Sequence, residues 1–121
     1  ARENAELNAV EISWVESDLF DKISGQFDLI TCNPPYLTEG DMESLQQEIR
    51  FEPKLALYGG EDGLDYYRRI AHSYQPHLNP GGMLLLEIGS TQAQSAAEVF
   101  DGKTSVINDL SGNPRVLTVE R

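Results

Sequence analysis

The apolar run Phe27-Asp28-Leu29-Ile30-Thr31-Cys32 is followed at once by Asn33-Pro34-Pro35-Tyr36, and that junction restricts the backbone of this 121-residue chain severely. Two consecutive prolines carry no N–H, so neither a helix interior nor a central strand ladder can run through them. Each ring fixes its own φ and holds the residue before it extended, which stiffens Asn33 and Pro34 together. The run before them reads as a strand buried on both faces, the pattern of a parallel sheet covered by helices. Such sheets bind ligands at the carboxyl ends of their strands, where this polar loop falls.

The remaining sequence supplies the other layers. Ala1 to Leu7 reads as the end of a helix, with neither an initiator Met nor a start signal, so the chain is expected to begin inside a larger protein. Ile12 to Val15 is a short strand candidate, followed by the turn Ser17-Asp18-Leu19-Phe20. Met42, Leu45 and Ile49 keep helical spacing until Phe51-Glu52-Pro53 stops it. After the glycine-rich stretch Gly59-Gly60-Glu61-Asp62-Gly63, the positions Leu64, Tyr67, Ala71, Tyr74 and Leu78 trace an amphipathic helix. Asn79-Pro80-Gly81-Gly82 predicts a turn, Met83 to Ile88 a strand, and Thr91 with Gln94 a capping box for a helix reaching about Phe100. Ser105 to Asp109 and Arg115 to Glu120 alternate as two strands of an antiparallel hairpin around Leu110-Ser111-Gly112-Asn113-Pro114. Strands separated by helices imply an α/β, doubly wound parallel sheet, with the hairpin adding an antiparallel strand at one edge.

Charge and cysteine usage narrow the function classes. Nine Lys+Arg against 20 Asp+Glu give a net charge of −11, which disfavours a tightly held nucleic acid because phosphate affinity is built from Lys and Arg. Cys32 is the only cysteine, excluding a disulfide framework and a multi-thiolate metal site; it reads as a small core residue. His72 and His77 lack companion ligands and read as surface residues, so no metal is expected. No signal peptide or membrane-length apolar run is visible, and a soluble, cytoplasmic location is the expectation.

The loop has a chemistry of its own. An amide or aromatic amine nitrogen is a poor nucleophile because its lone pair is delocalised. Two acceptors at fixed separation can take hydrogen bonds from both N–H groups and hold the nitrogen in line with an electrophile: the Asn33 side-chain oxygen and the Pro34 carbonyl. Tyr36 adds a flat face for a planar group, and a π face also attracts a sulfonium. The plainer alternative for the bare tetrapeptide is a turn bearing an exposed aromatic.

This arrangement resembles the class I methyltransferases that act on planar nitrogens, above all the HemK/PrmC-type release-factor glutamine methyltransferases. Phe51-Glu52-Pro53, Ala56-Leu57, Gly59-Gly60, Asp62-Gly63-Leu64 and Tyr67-Arg68 are similar to the family's segment after the loop. Asp18-Leu19-Phe20, Gly81-Gly82, Leu86-Glu87-Ile88-Gly89 and Arg115-Val116 are similar to its pattern too. The resemblance implies a Rossmann-like sheet, S-adenosylmethionine as donor, and N5-methylation of the glutamine in the Gly-Gly-Gln motif of class I peptide-chain release factors, a step serving translation termination. It implies that Asn33 and Pro34 accept from the glutamine amide, and that Pro35 and Tyr36 shape its pocket. It further implies that Asp18 and Leu19 meet the adenine end of the cofactor, with Asn33 near the methyl.

The family's glycine-rich cofactor loop lies upstream of the helix matching Ala1 to Leu7. Residues 1–121 are therefore expected to be a single partial domain, the C-terminal part of a catalytic domain, truncated with the first two strands missing and Ile12 to Val15 orphaned or re-paired. The glycines at 59, 60 and 63 follow a polar segment rather than a buried strand, which argues against a phosphate cradle. Glu87 either orients the loop or is a carboxylate held by backbone donors, and Glu52 has the same two readings. Tyr66, Tyr67 and Tyr74 are expected to pack a helix, and Trp14 to be a core or edge anchor. The competing functions are an N6-adenine nucleic-acid methyltransferase, against which the acidic balance speaks, and a non-catalytic binding fragment.

Overall fold

The computed structural model describes residues 2–44, 53 and 56–121. Its elements are α1 (Arg2–Leu7), β1 (Phe27–Cys32), α2 (Glu39–Glu43), α3 (Asp65–Ser73), a 3₁₀ turn (Gln75–His77), β2 (Leu78–Glu87), α4 (Ala93–Ala97), β3 (Lys103–Asn108) and β4 (Pro114–Glu120). The strands form one mixed sheet in the order β1-β2-β4-β3, with β1 parallel to β2 and β4 antiparallel to both its neighbours.

Period-two alternation assigns the faces of β2. Leu84, Leu86 and Ile88 are fully buried, while Met83, Leu85 and Glu87 between them are half-buried. The buried set meets Leu117 and Val119 of β4, Tyr67 and Ile70 of α3, and Ala96 of α4. Helical spacing in α3 thus closes one face of the sheet, and each fully buried Leu or Ile there contributes about 1.5–3 kcal/mol. Tyr74 stands edge-on to Phe100 with ring centroids 5.8 Å apart, extending the same core.

Three expectations change. The predicted turn at residues 79–82 lies inside β2: Phe27 pairs with Leu78 and Leu29 with Met83, so the segment is a bulge that β1 bypasses. The antiparallel β4 is interior rather than at the edge, because its apolar Leu117 and Val119 pair with β2, whereas the polar, exposed β3 takes the rim. β1 is not buried on both faces: it is the other edge, with Phe27 43% and Leu29 56% exposed.

Residues 10–15 form no strand, and Val10, Ile12, Trp14 and Val15 are exposed. Without a neighbouring strand, an extended apolar segment has nothing to pair with. Trp14 is consequently no core anchor; the Arg2 guanidinium lies over its ring, 6.0 Å from the centroid. The predicted helical positions Leu45 and Ile49, together with Phe51 and Glu52, lie outside the described residues. Where helix was expected from Met42 onward, α2 begins with a capping box between Thr38 and Asp41. Among the described residues, no helix is long and apolar enough to cross a membrane.

Candidate active site

β1 delivers the loop to the rim. Asn33 is exposed, Pro34 buried, and Pro35 and Tyr36 half-buried. These four residues, with Leu37, Ala56 and Leu57, line a cavity of about 200 Å³. Leu37 fixes the exit: its N–H donates to the Leu57 carbonyl at 2.9 Å, and its carbonyl accepts from the Gly59 N–H at 2.9 Å. The predicted acceptor residues therefore line one cavity.

The Tyr36 phenol donates to Glu87 Oε1 at 3.2 Å, and Arg115 Nη1 lies 3.9 Å from that same oxygen. Burial, then the charge and hydrogen bond of Glu87, push the Tyr36 pKa up, so the phenol remains a donor. Of the two readings of Glu87, the one with backbone donors is not what its carboxylate shows among the described residues, where side chains engage it. Its main-chain carbonyl accepts from the Tyr67 hydroxyl at 2.8 Å, which links α3 to the end of β2. Burial raises the Tyr67 pKa strongly, and that of the half-buried Cys32 thiol as well.

The glycine-rich loop serves this site directly. A Cβ on Gly59 would lie 2.7 Å from Tyr36 Cα, and one on Gly63 would lie 2.4 Å from the Tyr36 carbonyl oxygen. Gly63 also has φ +74°, a conformation side chains disfavour. Asp62 anchors the loop to α3, accepting from the Leu64 N–H at 3.1 Å and from Arg68 Nη1 at 3.0 Å. These glycines are spacers that let two backbones touch.

One residue escaped the sequence reading. Gln92, 9% exposed, is the N-cap residue of α4 but makes no side-chain cap, and the Thr91–Gln94 capping box does not form. Its amide instead accepts from the Gly89 N–H at 3.0 Å and donates to the Tyr36 carbonyl at 3.0 Å and the Gly63 carbonyl at 3.5 Å. A glycine closing a strand with a glutamine three residues later was the available signal, since Gln92 N–H also donates back to the Gly89 carbonyl.

Asp18 and Leu19 are held by a different element. Asp18 Oδ2 accepts from Arg69 Nη2 of α3 at 2.8 Å, Leu19 adopts φ +48°, and the Phe20 ring stacks on His77 with centroids 4.9 Å apart. His77 is thus half-buried rather than a surface residue. The exposed Asp18 carboxylate keeps further lone pairs beside an apolar turn, acceptors that fit the N–H groups of an amine-bearing planar base. Tyr67 and Tyr74 are fully buried, while Tyr66 lies under the Arg69 guanidinium at 5.3 Å. Among the described residues, no three metal-ligating side chains come together.

Residues 1–60 match the family model of the methyltransferase small domain. The chain is 45% identical over 102 residues to a release factor glutamine methyltransferase of Geobacter sulfurreducens, covering 83% of this chain and 36% of the relative. It is 42% identical over 124 residues to the one of Deinococcus radiodurans, covering 100% of this chain and 45% of the relative. The chain therefore spans less than half the length of these curated relatives. A release factor-specific protein-(glutamine-N5) methyltransferase from Alicyclobacillus acidocaldarius superposes with TM-score 0.52 at 27% identity, over 79% of this chain and 49% of that one. A Pyrococcus furiosus methyltransferase shares the fold at 20% identity, TM-score 0.67, over 98% and 54% of the two chains. The sheet is thus a Rossmann-like class I methyltransferase sheet, and over most of its length the chain is similar to release factor glutamine methyltransferases.

Proposed function

We propose that the protein containing this chain methylates N5 of a glutamine side chain, the one in the Gly-Gly-Gln motif of class I peptide-chain release factors, and that this chain is the acceptor-binding, C-terminal part of its catalytic domain. The observation that carries this reading is that Asn33, Pro34, Pro35 and Tyr36 all line one cavity at the end of β1. S-adenosylmethionine, when bound, supplies an electrophilic methyl on a sulfonium.

Asn33 Oδ1 and the Pro34 carbonyl accept the two N–H bonds of the substrate amide and turn its nitrogen toward that methyl. Pro35 and Tyr36 confine the amide plane. One of the two N–H protons held by these acceptors leaves the nitrogen once it has received the methyl that the donor would supply. No general base is needed before attack. Asp18 and Leu19 would hold the adenine end of the donor and Asn33 would lie near its methyl, a set that covers only part of such a ligand. The donor's remaining contacts then fall to parts of the protein outside these residues, and residues 1–121 alone should bind S-adenosylmethionine far more weakly than the whole protein. Calorimetry giving a low-micromolar Kd for this chain would contradict that division.

Incubating the whole protein with S-adenosylmethionine and a class I release factor should add one methyl to the Gly-Gly-Gln glutamine, read by peptide mass spectrometry. An unmodified glutamine beside an active control enzyme would refute the reading. Methylated adenine in DNA under the same conditions would replace it.

A further inference from the structure

We propose that Gln92 is a positioning residue for this methyl transfer, acting through the backbone of the acceptor loop; the inference rests on the function proposed above. Pro34 and Pro35 have no N–H with which to pin the loop, so the direction of the Pro34 carbonyl depends on what holds the chain just beyond it. Among the described residues, the Tyr36 carbonyl is held by Gln92 Nε2, at 3.0 Å.

The amide can point only one way. Its three partners are one N–H, from Gly89, and two carbonyls, those of Tyr36 and Gly63, so Oε1 must face the first and Nε2 the others. A single nearly buried group thereby joins the end of β2, the glycine-rich loop and the acceptor loop. Two further supports flank it: the Tyr36 phenol donates to Glu87, which fixes the ring, and the Leu37 N–H of the same peptide plane donates to the Leu57 carbonyl at 2.9 Å, so Gln92 holds the carbonyl side of that plane. Since a displacement of about 1 Å at a reacting group can cost roughly 100-fold in rate, losing the Gln92 donor should appear in turnover rather than in donor binding.

Gln92→Glu separates the roles. The glutamate still accepts from Gly89, but when ionised it opposes the Tyr36 and Gly63 carbonyls; protonation restores one donor. In the whole protein acting on a release factor, Gln92→Ala is expected to lower kcat roughly 10–100-fold with KM for S-adenosylmethionine little changed. For Gln92→Glu, kcat relative to wild type should fall as pH rises through the introduced carboxyl's pKa. Amide hydrogen exchange of Gly89 should stay protected in Gln92→Glu and be lost in Gln92→Ala, while Leu37 exchanges faster in both. Unchanged kcat in Gln92→Ala, or a Gln92→Glu to wild-type ratio that is flat with pH, would overturn the proposal. If wild type methylates no glutamine, the functional reading fails by itself; the Gln92 proposal is then judged on exchange, and unaltered Leu37 protection overturns it.

Discussion

On the helix-covered side of the sheet Leu84, Leu86, Leu117 and Val119 are fully buried, whereas the equally apolar Ile12 and Val15, ahead of the sheet in sequence, and Phe27 and Leu29 of β1 stay 43–56% exposed. The supports identified for the acceptor loop lie toward the closed region: Gly59 and Gly63, Tyr67 behind Glu87, and Gln92 at the start of α4. The open region comprises residues 10–15, which pair with no strand, and β1, whose one strand partner among the described residues is β2. Side-chain hydrophobicity is the same in both; what differs is whether the chain supplies a second surface. The loop's supports are consequently supplied from within this chain, while the apolar residues of the other region stay exposed.

Paired leucines test this contrast most strongly. Leu86→Ala should destabilise the chain by about 2–5 kcal/mol in chemical denaturation, because it opens a cavity in a packed core. Leu29→Ala should cost less than about 1 kcal/mol, since that side chain is mostly in water already. Equal losses would erase the distinction between the two regions. On the functional side, Asn33→Ala in the whole protein should cost about 2–4 kcal/mol of transition-state stabilisation, by analogy with deleting one preorganised hydrogen-bonding group from an oxyanion site. Near-normal turnover would remove Asn33 from its role.

Gly63→Ala comes next, at about 1–3 kcal/mol of stability, from positive φ and collision with the Tyr36 carbonyl. A neutral outcome would mean that the two loops do not need their close approach. The smallest effect concerns Asp62, whose pKa its hydrogen bonds from Arg68 and Leu64 lower from 3.8 to about 2. A depressed carboxylate pKa contributes stability that is present above pH 3.8 and lost as pH falls through about 2. Asp62→Asn should therefore flatten slightly the decline of Tm over that acid range. The pair is exposed, so an unchanged melting profile would confine Arg68 to a surface role.

Legibility in the sequence followed the range of the interaction. Asn33 to Tyr36 could be read because proline acts on its own φ and on the preceding residue, and α3 because its period of burial is local. The hairpin between β3 and β4 was legible for the same reason. By contrast, the bulge at residues 79–82 resembles a free turn until β1 is placed beside it, and Gln92 reaches partners 56 and 29 residues away. A strand's place in the sheet order depends on which neighbour offers the larger apolar face. That comparison, which set β4 inside and β3 outside, requires all the strands at once.

The two prolines that follow β1 also bear on self-association. β1 is an edge strand here, and an exposed edge with Phe27 and Leu29 on it is a template for another copy's backbone. Beyond Cys32 two successive residues offer no ladder donor, so an invading strand could be gripped along β1 but not past it. The two prolines thus shorten the stretch over which copies of this chain could stack.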